Sequence, residues 1–148
     1  MNREGLDGSI GFLMGVTYRK LSHLLLQRLK DYDITPEQWS VLYRIQEMDG
    51  CIQKEIAERS GKDKPTTTRI LDALEAKGLV RRKIGENDRR SFRITITDKG
   101  KELIRQTEPI EKKAVQDAAA GLSDGEIETL LRLLRHIGDN VDGLSGKE

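Results

Sequence analysis

Within six positions the chain sets Lys64, Thr66, Thr67, Thr68 and Arg69, one lysine, three hydroxyls and one arginine. Side chains of these types donate to phosphate oxygens, and an arginine can also pair bidentately with the acceptor edge of guanine. Twenty residues further on, Arg89 and Arg90 follow Asp88 in a polar stretch. Arginines carried on such a tip suit a narrow minor groove, where the negative potential is enhanced. Asp88 reads as the group that orients Arg90 rather than as a contact. Gln53, Lys62 and Lys83 complete the candidate set for nucleic acid, with Arg81 and Arg82 placed for phosphates or for structural pairing.

Catalytic and metal chemistry lack such a constellation. Cys51, His23 and His136 are the only soft or imidazole candidates, and no two share a ligand spacing. No nucleophile–base pair or convergent carboxylate pair is visible. Gly5, Gly8, Gly11 and Gly15 are dispersed and follow no strand, so they make no nucleotide-binding loop. The expectation is a non-enzyme without cofactor or metal. The N-terminal residues carry Arg3, Glu4 and Asp7 with no apolar core of a leader, and no run of 18 apolar residues could span a membrane. A single cysteine forms no internal disulfide, so a reducing cytosol is expected and Cys51 reads as a buried inert thiol.

The elements that must position the basic residues are legible from period and punctuation. Apolar residues from Ile10 to Leu29 recur near the helical period, predicting one long helix over Ile10 to Tyr32. Thr35-Pro36-Glu37-Gln38 has the N-cap, first-turn proline and third-position Gln of a capping box, opening a helix that should end at Asp49-Gly50. Gln53–Ser60, stopped by Gly61, and Lys64–Lys77, capped by Asp63 and stopped by Gly78, form a helix-turn-helix. The period then changes. Leu79–Ile84 and Phe92–Thr97 alternate as strands, with Phe92, Ile94 and Ile96 on one side, around the polar loop 85–91. A hairpin in that place is a wing. Helix returns from Asp98 to about Ala120, with Pro109 expected to kink or break it, and again after the capping box Ser123-Asp124-Gly125-Glu126. The tail from Gly143 is expected to fray.

Charge follows this division. Lys62 to Lys101 holds twelve basic and six acidic residues, net +6, while the rest of the chain carries −5, for a total of +1. A basic centre between acidic flanks is the footprint of a nucleic-acid reader with non-binding arms.

Three stretches together carry a family resemblance: Gln53 to Ser60, Leu71 to Val80, and Asp88-Arg89-Arg90 leading to Ile94-Thr95-Ile96-Thr97-Asp98-Lys99-Gly100. They resemble the MarR family of bacterial regulators over nearly the whole chain. The resemblance implies a triangular homodimer with interlocked terminal helices, Arg90 as the minor-groove arginine supported by Asp88, and Lys64, Thr66, Thr67 and Arg69 on the recognition helix. It also implies a small lipophilic or aromatic effector, for which Tyr18, Arg19, His23, Trp39 and Tyr43 are the candidates. The peroxide-sensing branch carries a cysteine early in the first helix, where this chain has Gly11 and Met14.

The fold class expected is mainly α with a β-hairpin wing. Residues 1–33 form an N-terminal dimerisation helix, 34–97 the winged helix-turn-helix (helix-turn-helix about 53–77, wing about 79–97), and 98–148 C-terminal dimerisation helices. The apolar stripes at both termini exceed what a small winged helix needs, which calls for a second copy. The function expected is a homodimeric repressor that reads an inverted-repeat DNA operator and responds to a ligand. An activator of the same fold stays open beside it, as does a winged-helix protein-docking module, against which Lys64 and Arg69 argue.

Overall fold

The computed structural model describes residues 5–84 and 92–146, and its elements follow the order α1 (Ile10–Arg28), α2 (Pro36–Glu47), β1 (Cys51–Ile52), α3 (Gln53–Ser60), α4 (Lys64–Ala76), β2 (Val80–Ile84), β3 (Phe92–Ile96), α5 (Asp98–Ala118) and α6 (Asp124–Leu144). Two compact units divide the chain at residues 114 and 115.

Local chemistry sets most boundaries. Thr35 accepts from the Gln38 N–H and the Gln38 side chain accepts from the Thr35 N–H, so two orphan donors of α2 are satisfied reciprocally. Asp63 caps α4 through the Thr66 N–H at 2.8 Å, and Ser123 with Glu126 makes the capping box of α6. Gly61 and Gly78 close α3 and α4 at φ of 65° and 74°, the left-handed region that a side chain disfavours.

The core of the first unit is one cluster in which Leu29, Leu42, Ile45, Ile56, Ile70, Leu71, Leu74, Ile94 and Ile104 are fully buried. It is filled by one face each of α2, α3 and α4, by the inward side of β3, and by the early turns of α5. Ile94 and Ile96 alternate inward as their spacing requires, but Phe92 at the start of the strand is exposed. The buried indole of Trp39 donates to Thr107 Oγ1 at 2.8 Å, and Thr107 in turn donates to the Leu103 carbonyl. A polar pair in a dry place is thereby fully used, and it ties α2 to α5.

Four features differ from the sequence expectations. The first helix ends at Arg28, and Lys30–Tyr32 is a separate 3₁₀ turn, because Leu29 leaves helical geometry at φ −97°, ψ 2° while inserting completely into the core. Cys51–Ile52 forms a short strand paired antiparallel to Ile94 and Arg93, which makes the sheet three-stranded in the order β1-β3-β2. Pro109 lies inside α5, which is not broken there: the ring costs one backbone hydrogen bond, and the helix continues to Ala118. At the C-terminus α6 runs on to Leu144, past the expected frayed point.

α5 begins in a crowded place. A Cβ on Gly100 would stand 2.7 Å from Ile96 Cγ1 and closer still to the Leu79 carbonyl oxygen. Thr97 holds the same junction, donating to the Gly78 carbonyl at 2.7 Å and accepting the Gly100 N–H. Gly100→Ala must therefore push backbone away from backbone, at a cost of about 1–3 kcal/mol. Thermal unfolding followed by circular dichroism should show Tm lowered by about 2–4 °C for each kcal/mol. An unchanged Tm would mean that this contact yields freely.

Candidate nucleic-acid interface

α4 presents two different faces. Thr67, Ile70, Leu71 and Leu74 are buried, while Lys64 and Arg69 are exposed and Thr66 and Thr68 are half-buried. The apolar stripe therefore fixes the roll of the helix, and the roll decides which of its polar side chains can meet a ligand.

This sorts the three threonines. Thr67 is completely buried and its hydroxyl donates to the Asp63 carbonyl at 2.8 Å, so it faces the core and leaves the exposed reading face on which the sequence placed it. Thr68 donates to the Lys64 carbonyl and accepts from Gln53 Nε2 at 2.7 Å. Its hydroxyl positions Gln53, the first residue of α3, against α4. Thr66 follows the cap, where its N–H is taken by Asp63. Two consecutive residues of a helix cannot share a face, so three consecutive threonines had to divide.

Arg69 is placed by a partner distant in sequence: its Nη2 lies 3.1 Å from Oε2 of Glu37, in the first turn of α2. One position on, Gln38 Oε1 accepts from Lys77 Nζ at 2.8 Å, and the same ammonium donates to the Asp33 carbonyl. The first turn of α2 thus clasps α4 at its middle and at its C-cap. Asp33 sits in the left-handed region at φ 52°, a conformation that aspartate tolerates. A second pair reaches the wing, where Arg82 of β2 binds Asp72 of α4 at 2.5 Å. Lys62 is half-buried in the turn between the helices, and Lys83 is exposed on β2. Asp88, Arg89 and Arg90 lie outside the described residues; the strands that lead to them pair from Val80↔Ile96 to Ile84↔Phe92.

The candidate effector residues separate. Trp39 is buried and stacks on Tyr43 with ring centroids 5.2 Å apart, and the Tyr43 hydroxyl reaches Glu108 at 3.5 Å. Tyr18, Arg19 and His23 stand on exposed positions of α1, with His23 beside Gln27. None of the five lines the groove of about 410 Å³ bounded by Asp31, Tyr32, Asp33, Lys77, Leu79, Lys99, Glu102, Leu103 and Gln106. The sequence reading did not find that groove, because its walls come from three separate stretches of chain. Its charges answer one another: Lys77 holds Asp33, Lys99 donates to the Lys77 carbonyl, and hydrogen bonds from Arg105 and Gln106 hold the Glu102 carboxyl down to about 2. Burial, followed by the charge of Glu55, pushes the Cys51 thiol up, away from the thiolate that reactivity needs. Among the described residues no three His, Cys, Asp or Glu side chains gather as a metal site, and no helix is long and apolar enough to cross a membrane.

Comparison with known proteins agrees with this geometry. The family model described as "MarR family" matches residues 34–92. The transcriptional regulator SlyA is 30% identical, with a TM-score of 0.84 over 91% of this chain and 95% of its own. A mutant MarR from E. coli, solved in complex with operator DNA, is 29% identical with a TM-score of 0.80, covering 86% of this chain and 92% of its own. The transcriptional repressor CouR, solved on a 23-mer DNA duplex, is 28% identical with a TM-score of 0.78 over 93% and 98%.

The cap of α4 carries a pH signature. Hydrogen bonds from the backbone and side chain of Thr66 hold the Asp63 carboxyl below its ordinary value of 3.8. A carboxyl depressed in the folded state stabilises above its unfolded value, and that contribution is lost as pH falls through the folded one. Asp63→Ala should therefore lower Tm at pH 7, and the gap from the parent should close as the pH drops below 3.8. Thermal melts at both ends of that range test this, and a gap independent of pH would assign the loss to something other than the carboxylate.

Proposed function

The chain belongs to the MarR family of winged-helix DNA-binding transcription regulators, and on that premise we propose that it is a homodimeric repressor that reads an inverted-repeat operator and is released by a small effector. The observation that carries the reading is the exposed N-terminal half of α4. There Lys64 and Arg69 are exposed on a helix whose opposite face is locked into the core, with Gln53 braced beside them through Thr68. In a helix-turn-helix this end of the second helix enters the major groove.

Dimerisation is supported within each unit separately. α6 has no buried residue, although Leu130, Leu131, Leu133 and Leu134 lie along it, each 40–47% exposed. In the first unit, Ile10, Phe12, Leu13 and Met14 of α1 are likewise exposed. Leucines in such number on one helix call for an apolar partner surface, and a second copy supplies it under two-fold symmetry. Two heads on such an axis read two half-sites about one helical turn apart. For the effector, the stacked Trp39 and Tyr43 rings beside α5 offer the aromatic surface, with Tyr18, Arg19 and His23 as the polar candidates. Release requires that the effector bind more tightly to a dimer geometry that no longer fits two successive major grooves. The working place of such a regulator is the cytoplasm, with the DNA.

The direct test is fluorescence anisotropy on DNA flanking the protein's own gene, with random-sequence duplex as competitor. Competitor-resistant binding by two protomers, weakening steeply as salt rises, is expected. Equal binding to both duplexes, followed by failure of selection from random DNA to enrich any sequence, would overturn the reading. On the duplex so identified, Arg69→Ala should cost about 1–3 kcal/mol, most of it at one base position. A loss spread evenly over all sequences would make Arg69 a phosphate contact instead. Arg90→Ala should weaken binding several-fold, as each wing loses its minor-groove cation, and unchanged affinity would remove Arg90 from the site.

A further inference from the structure

The cations at the start of α4 and in the turn before it are not equivalent. Among the described residues Lys62 and Lys64 have no carboxylate partner, whereas Arg69 is held by Glu37 at 3.1 Å and also feels Asp63. Glu37 is not a loose surface acid. It sits between Thr35 and Gln38, which cap α2 reciprocally, and Gln38 is tied to Lys77 at the far end of α4. The carboxylate is therefore delivered to Arg69 by a turn fixed at two points.

Stability does not explain the pair. The two side chains are 64% and 43% exposed, and ion pairs of that kind contribute little to folding. Charge does explain it. An arginine free at this place would attract the phosphates of any DNA, since phosphate contacts carry no sequence information. With Glu37 beside it, the pair offers a phosphate almost no net charge, and the carboxylate repels it. A guanidinium has five donors. Engagement of one Nη2 hydrogen leaves the rest of the fork for the acceptor edge of a base. Discrimination of this sort, built from a repulsive element against the wrong partner, is a general route to specificity.

We propose that Glu37 is a specificity-determining residue: it withholds Arg69 from phosphates and so lowers binding to non-operator DNA while leaving base recognition in place. The inference rests on the reading of α4 as the DNA-reading helix.

The test is Glu37→Gln, which removes the charge and keeps the shape. Anisotropy titrations over a salt series, on random-sequence duplex and on the operator identified above, supply the readout. On random duplex the variant should bind more tightly at low salt, and the slope of log K against log salt should steepen by about 0.9 per head, or about 1.8 per dimer. Operator affinity should change less, so the ratio of operator to random binding should fall several-fold. In an Arg69→Ala background the same substitution should leave the slope unaltered. Wild-type slope and ratio in Glu37→Gln, with Tm intact, would overturn the proposal. Equal steepening in the Arg69→Ala background would do so too, because Glu37 would then act on phosphates without Arg69. Should the wild-type protein itself prefer no duplex over random DNA, the DNA-reading role of α4 falls, and this inference with it.

Discussion

The seam between Leu79 and Gly100 is where the parts of the reading head are set against one another. α4 ends at Ala76 and is stopped by Gly78, β2 begins two residues later, and α5 starts against the same carbonyl that a Cβ on Gly100 would strike. Three further bonds fasten the place: Thr97 to the Gly78 carbonyl, the Thr97 N–H to the Leu79 carbonyl, and Lys99 to the Lys77 carbonyl. Thr97, between β3 and α5, and Lys99, in the first turn of α5, thus satisfy acceptors just past the end of α4, groups that a helix terminus otherwise leaves to water. One junction consequently fixes the C-terminal end of α4, the root of the wing and the origin of α5. Displacement of α5 at its root is displacement of α4.

From that fixed end, the rest of α4 is oriented by packing and trimmed by electrostatics. Ile70, Leu71 and Leu74 settle its roll to within the tolerance of a close-packed core. Exposed ion pairs could not do this, since each contributes too little. What they do is choose among conformers of long side chains once the helix is in place: Glu37 takes Arg69, and Asp72 takes Arg82. Apolar burial places the helix, and carboxylates place the long cationic side chains on and beside it.

This hierarchy explains which features could be read from the residues alone. Caps and stops are contained in four or five consecutive residues, so Thr35 with Gln38, Ser123 with Glu126, Gly61 and Gly78 are where their types require. Ile94 and Ile96 follow from alternation, and the buried face of α4 from helical period. Features that depend on distant chain were not legible. The two-residue strand Cys51–Ile52 has no period of its own and exists because Ile94 and Arg93 pair with it. The long first helix was read through Leu29, since a 3₁₀ turn keeps nearly the same apolar spacing as the helix it follows. Thr67 was placed with its neighbours by residue type, although its position in the stripe with Ile70, Leu71 and Leu74 could have revealed it as buried. Glu37 could not be linked to Arg69 across 32 positions by any local rule.

The terminal helix shows the same logic from the opposite side. α6 has the strongest apolar patterning of a surface helix that sequence alone could mark, with Leu130, Leu131, Leu134 and Val141 at near-heptad spacing. Within its own unit, nothing buries them. Were the stripe a misreading of period, the residues between would be apolar as often; instead Glu126, Glu128, Arg132, Arg135 and Asp139 intervene. A pattern that regular is left uncovered within this chain. Periodicity announces that a face will be buried, but it is silent on whether the covering surface belongs to the same molecule. In the first unit the answer for α4 is its own core; for α6 the chain itself supplies no cover, which is why we propose a second copy there.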